Sequence, residues 1–306
     1  MRDCRRHVSH NKQPHRLWGS TSAQANEAWT GLYIDTHVHL DRIVESAAGE
    51  GASMALFSST CLESGLFGSG FRGAVQVALA PRSIAATKEL VKLHPTLLHP
   101  CWGLHPLSAD EWTDAIGTEL VELVSSPGSV GWGECGLDYF YDAAPRDVQM
   151  SVFEKQMRLA TAVGKPLVVH ARDAEEDTWN LMKKVLPDGY PVHLHCFTGT
   201  PEYAERMLST FPGLKIGLTG ALTFKTASHL REVAGRIVPP HRLLLETDGP
   251  FMAPVPFRGC TSHPGMIPTI AAAVAEARRE FGTDPSATVD SVLQETFQTA
   301  KDFYHI

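Results

Sequence analysis

Eight short apolar runs recurring about every 30 residues, helical patterns between them, and chemically capable side chains at their ends predict an α/β fold of the (β/α)8 TIM-barrel type. The runs are LYIDTHVHL from Leu32, SMALFSST from Ser53, LLHPCWG from Leu97, SVGWGEC from Ser129, PLVVHA from Pro166, PVHLHCF from Pro191, LKIGLTG from Leu214 and LLLETD from Leu243. Pro145 opens an intervening helix whose Phe153, Met157, Ala160 and Val163 recur at helical spacing, and Gly164 closes it. Ile267, Ile270, Val274 and Phe281 form a second such stripe. A doubly wound open sheet would show the same alternation, so the polar residues decide. His37, His39, Glu134, His170, His195 and Asp248 end runs, and His105 lies just past one. A closed barrel gathers such ends at one mouth, where barrel active sites lie. No GxGxxG or Walker-type loop competes.

The chain has 306 residues, 43% hydrophobic and 20% charged, enough for a large core. Residues 1–31 are polar, without apolar periodicity, and are expected to form a disordered extension, leaving 32–306 as the barrel domain. Of the net charge of −7, the extension contributes +3 and the remainder −10, which argues against a broad electrostatic nucleic-acid surface. Six cysteines without a CxxC pair fit reduced thiols and exclude a zinc ribbon. No apolar run approaches the ~18 residues of a membrane span, so no membrane partner is expected. A cytoplasmic or nuclear location is expected; five basic residues in the extension make a weaker case for organelle import, with Asp3 against it.

His37 and His39 share one face of a strand end and can chelate a cation, with Asp35 of the same parity available to orient an imidazole. A lone histidine is more often a satisfied core residue, but a paired one after a buried strand is not. Glu134, flanked by glycines, can reach a metal unhindered, and its two oxygens can bridge two cations. His170 and His195 add imidazole donors, while His193 lies deeper and is left out. Asp248 can hold a metal and accept a proton from its water. Arg172, of the same parity as His170, is a phosphate contact or a salt bridge to Asp173 or Glu175. Trp102, Tyr139, Phe197 and Phe224 near strand ends could stack an unpaired base, although core packing is the commoner fate. Cys135 and Cys196 are expected to point into the barrel wall.

The motifs IDTHVHLD, GLHP at 103–106, GECGLDY at 133–139, GKPLVVHARDA at 164–174, HCFTG at 195–199 and ETDGP at 246–250 occur in this order. In them the chain resembles the TatD family of metal-dependent deoxyribonucleases, within the amidohydrolase-like barrels. The likeness covers nearly all of residues 33–304, and HARDAEED with SHPG at 262–265 places it nearer the larger eukaryotic subgroup. The resemblance implies a nuclease that uses two divalent metal ions (Zn, Mn or Mg), acting on single-stranded DNA or strand ends, also on RNA, in the 3′ to 5′ direction. It implies that His37, His39, Glu134 and Asp248 hold one metal, that Glu134, His170 and His195 hold the other, and that His105 contacts the scissile phosphate. Ser262-His263-Pro264 stands where the family commonly has an Asn-Glu-Pro type of sequence, a departure at the substrate side of the last loop. A monomer is expected.

The alternative is a small-molecule hydrolase of the same barrel class, cleaving an amide, lactone or ester. Many such enzymes bridge their metals with a carbamylated lysine on the fourth strand; Glu134 at that place favours the nuclease. A non-catalytic scaffold would need none of these ligand types.

Overall fold

The computed structural model of the chain describes residues 30–141 and 143–306. The extension expected over 1–31 lies outside the described residues except for Thr30 and Gly31. Eight strands, β1 (Tyr33–Val38), β2 (Phe71–Leu79), β3 (Leu98–Gly103), β4 (Gly131–Asp138), β5 (Leu167–Arg172), β6 (Val192–Leu194), β7 (Leu214–Leu218) and β8 (Leu243–Leu245), pair in parallel in sequence order. The helices are α1 (Leu40–Ala48), α2 (Ile84–Leu93), α3 (Asp114–Ser125), α4 (Arg146–Val163), α5 (Glu175–Val185), α6 (Pro201–Thr210), α7 (His229–Glu232), α8 (Ile267–Glu280) and α9 (Val289–Tyr304). This is the expected TIM barrel.

The second strand is not where its apolar run suggested. SMALFSST forms turns and helical coils, and its Met54 and Phe57 bury together with Cys61 at spacings of three and four, a helical period. The strand is FRGAVQVAL, masked as a signal by the buried polar Gln76. That side chain accepts from Leu40 N (2.7 Å) and donates to Asp41 Oδ1 (2.9 Å) and Thr87 Oγ1 (3.1 Å), tying β2 to α1 and α2.

The barrel closes where β8 returns to β1. Thr36 Oγ1 donates to Leu245 O (2.9 Å), Asp248 N to His37 O (3.0 Å) and His39 N to Gly249 O (2.9 Å). A buried cluster of Ile34, Val75, Cys101, Val168 and Leu244 draws on five strands at once, which only the inside of a barrel permits. Phe303 and Tyr304 at the end of α9 join it and plug the barrel beneath the site.

Helix α4 follows its expected bounds, ending on Gly164 at φ +74, a left-handed C-cap that glycine enters without steric cost. Its buried Gln149 and Gln156 lie two turns apart on one face. Gln156 accepts from Leu104 N and donates to Leu104 O (2.9 Å each), next to His105. Gln149 accepts from Asp138 N (2.8 Å) and donates to Asp138 O (3.0 Å). One helix face thus fixes the loops after β3 and β4.

Candidate metal centre

Glu134 is buried in the middle of β4 rather than at its end, because that strand runs on to Asp138. Simple alternation would put Glu134 on the face of Trp132, whose Nε1 points outward to Gln156 on α4 (3.2 Å). A β-bulge prevents this: between the pairs Trp132–Leu167 and Cys135–Val169, two residues of β4, Gly133 and Glu134, oppose the single Val168 of β5, which re-aims the carboxylate to the barrel mouth. Gly133 makes the bulge possible at φ +148, and a Cβ there would lie 2.5 Å from Val168 O.

Around Glu134 the structure gathers His37, His39, His170, His195 and Asp248. Glu134 Oε1 lies 3.5 Å from His39 Nε2, while Oε2 lies 2.6 Å from His195 Nε2, 3.6 Å from His170 Nδ1 and 3.7 Å from His37 Nε2. Asp248 Oδ1 lies 3.6 Å from His39 Nε2 and 3.8 Å from His37 Nε2. Asp248 itself takes φ +51, a left-handed conformation that aspartate tolerates better than most residues. His37 and His39 stand 5.1 Å apart, as their shared face predicts.

The hydrogen bonds at the far side of each ring decide which nitrogen faces the centre. His39 Nδ1 lies 3.0 Å from Val77 O, so it carries the proton and Nε2 offers its lone pair inward. His170 Nε2 lies 3.0 Å from Asp138 Oδ2, leaving Nδ1 to face Glu134 and His195. His170 Nδ1 and His195 Nε2 stand 3.1 Å apart, a contact that requires a proton or a cation between two lone pairs. Both ring nitrogens of buried His37, together with His195 Nδ1 and Glu134 Oε2, have no hydrogen-bond partner among the described residues. Unpaired buried nitrogen and carboxylate donors of this kind fit divalent cations. Ligand atoms of His37, His39 and Glu134 lie within 4.8 Å of one another, as do those of His105, Glu134 and His170, and those of His37, His195 and Glu246. No cysteine joins these groups among the described residues; Cys101 Sγ instead donates to Gly133 O (3.4 Å).

Electrostatics point the same way. Burial disfavours a charged His39, but the Asp248 and Glu134 carboxylates outweigh it and raise its pKa to about 10. His170 is likewise raised to about 9, with Asp138 and Glu134 outweighing burial. Burial would raise Glu134, yet His195, His105 and His37 hold it well below the usual carboxylate range. The carboxylates thus recruit positive charge to a buried place. Burial lowers His105 to about 3 and keeps it neutral. Its Nδ1 accepts from Leu107 N (3.1 Å), so the proton sits on Nε2 and makes that atom a donor.

Several expectations change. Asp35 orients no imidazole: its Oδ1 accepts from Thr247 N (3.0 Å) and His37 N (3.2 Å), and its Oδ2 from Thr247 Oγ1, so it sews β1 to the chain after β8. Arg172 forms no salt bridge to Asp173 or Glu175; its guanidinium lies over the rings of Phe140 and Tyr141, 4.1 and 4.9 Å from their centroids. Trp102 and Phe197 are core residues, each 3% exposed. Tyr139 is half-buried and donates to Asp177 Oδ2 (2.8 Å), and Phe224 lies beneath Arg258 (3.8 Å). Ser262 and His263 are fully buried, and Ser262 N donates to Pro250 O (3.0 Å), so this departure from the family pattern bears on loop packing.

Sequence reasoning missed Asp138 and Glu246. Asp138 stands four residues beyond Glu134 on a strand, a same-face spacing that could have found it. Glu246 is fully buried and lies 2.9 Å from His193 Nε2, while His193 Nδ1 lies 2.7 Å from Tyr304 Oη. His193 therefore does sit one layer below the centre.

Residues 34–305 match the family described as TatD related DNase. The human 3′-5′ RNA nuclease TATDN2 is 36% identical over 241 residues, 76% of this chain but 31% of that protein, so the chain spans about a third of that relative's length. The 3′-5′ ssDNA/RNA exonuclease TatD of Pantoea vagans is 32% identical over 208 residues, 65% of this chain and 79% of that protein. The crystal structure of YjjV, a TatD homolog from Escherichia coli K12, superposes with a TM-score of 0.73 at 26% identity, covering 90% of this chain and 98% of that one. With six motifs, the barrel and the histidine and carboxylate cluster at its mouth in agreement, the chain belongs to the TatD-related DNase family.

Proposed function

We propose that this protein hydrolyses phosphodiester bonds at the 3′ end of unpaired DNA or RNA, using two divalent cations, Zn, Mn or Mg. The observation that carries this reading is Glu134: one oxygen faces His39 and the other faces His37, His170 and His195, so a single buried carboxylate is the common counter-charge of every imidazole assigned to the two cations. His37, His39, Glu134 and Asp248 would hold one cation, and Glu134, His170 and His195 the other. When bound, such cations supply Lewis acidity, neutralising non-bridging phosphate oxygens and acidifying water.

The side chains do the rest. Asp248, at the open edge of the cluster with its side chain 13% exposed, takes the proton of the attacking water. His105 donates Nε2–H to a phosphate oxygen; with that nitrogen protonated and Nδ1 accepting from Leu107 N, it has no free lone pair to offer the cations. Asp138 holds His170 through its ring Nε2, the carboxylate–histidine pairing that orients ligands in metal sites. Asp138→Asn is expected to weaken Mn²⁺ binding about 10- to 100-fold by calorimetry. An unchanged affinity would show that Asp138 does not act through His170. The names of two relatives, both 3′-5′ nucleases, support the substrate class.

The test is degradation of end-labelled single-stranded DNA and RNA on a gel, with added Mn²⁺ or Mg²⁺ and with chelator. Stepwise loss from the 3′ end that chelator abolishes is the expected result. No cleavage with metal demonstrably bound would overturn the reading and direct the search to amides, lactones and esters.

A further inference from the structure

Phe140 and Tyr141, just past the end of β4, are 55% and 53% exposed, the most exposed large apolar side chains among the described residues. Isolated exposed aromatics are common, but these two meet edge to face at 5.0 Å and 89°, with the Arg172 guanidinium over both rings. Their placement is fixed from below. Asp138 Oδ1 accepts from the backbone N–H groups of Phe140 and Tyr141, 3.0 Å each, while its other oxygen faces His170. Asp138, whose backbone N–H and C=O are held by Gln149, thus joins the backbone of the aromatic pair to the metal centre through its carboxylate.

Flat π faces in water beside a cation are the elements that bind an unpaired nucleotide: the base stacks, and the guanidinium edge takes a phosphate. Arg172 makes no ion pair among the described residues, so its N–H groups are available for that contact. Building on the nuclease reading, we propose that Phe140 and Tyr141 form a stacking platform for an unpaired base at the strand end, and that Arg172 holds the adjoining phosphate. A base inside a duplex has both faces covered by its neighbours, and the terminal base of a blunt end is held by pairing to its complement, so neither turns onto the platform without unpairing. The site therefore selects overhangs and single strands over blunt duplex ends, although the body of the protein is acidic and offers no broad attraction to nucleic acid.

The experiment uses the full chain and a short single-stranded DNA carrying 2-aminopurine as its 3′ base, with phosphorothioate linkages to slow cleavage. Wild type with Mn²⁺ should quench the 2-aminopurine fluorescence on binding. The double variant Phe140→Ala/Tyr141→Ala should lose the quenching and bind about tenfold more weakly. With ordinary DNA its KM should rise by a similar factor while kcat changes by less than about twofold. Tyr141→Phe, which keeps the ring, should retain quenching and KM, and Leu93→Ala, exposed at the end of α2, serves as the surface control. Circular dichroism establishes that each variant is folded. Quenching and KM indistinguishable between wild type and a folded double variant, while both cut the strand, would overturn the platform and leave the nuclease reading standing. A wild type that neither binds nor cuts the strand with metal present would overturn both.

Discussion

Glu134→Gln should lower strand hydrolysis by about a thousandfold or more, on the order of 4 kcal/mol in the barrier. The substitution keeps the shape of the side chain, so the β4 bulge and the packing around it have no reason to move. It replaces one carboxylate oxygen by an NH2 group, which presents protons to imidazole nitrogens where a shared anion is needed. Four histidines, His37, His39, His170 and His195, lie within 3.7 Å of this carboxylate and lose their common counter-charge. Single-turnover cleavage of a labelled strand, measured beside the metal content of the purified variant, checks this. A variant that keeps near-native turnover would remove Glu134 from the bridging role.

Asp248→Asn should lower kcat about 10²- to 10⁴-fold, the range associated with losing a general base, with a smaller effect on KM. Asparagine fits the same turn, because it also tolerates the left-handed conformation at φ +51. What it cannot do is accept a proton from water or supply an anionic ligand facing His37 and His39. Steady-state kinetics over a range of Mn²⁺ concentrations separates these two roles. Activity restored by high Mn²⁺ would assign Asp248 to metal holding alone, and a kcat that stays low at saturation would assign it to the proton.

The parts of this molecule visible in its sequence are those that repeat or that carry rare chemistry. Apolar runs at barrel spacing and histidines at their ends are local signals, and they located seven of the eight strands along with the ligand-type residues. The second strand escaped because burial of Gln76 depends on hydrogen bonds from α1 and α2, which no local pattern records. SMALFSST misled for the opposite reason: its apolar content is real, but its burial follows a helical period. At β4 alternation fails because the bulge inserts one residue, so Glu134 reaches the mouth from a position that counting assigns to the other face. Asp35 shows the limit of reasoning from type: a buried carboxylate beside histidines was expected to hold a ring and instead holds backbone N–H groups of His37 and Thr247.

That last bond also has a temporal meaning. Asp35 and Thr247 are separated by 212 residues, and the ligand-type side chains come from both ends of the chain. At ordinary translation rates, the aspartate waits on the order of ten to forty seconds for its partner to be synthesised. Throughout that interval His37 and His39 emerge without Asp248, and the barrel has no seam to close. A nascent fragment that ends before Asp248 therefore lacks a complete centre. The candidate centre becomes complete only after residue 248 has been synthesised, a timing written into which strands must meet.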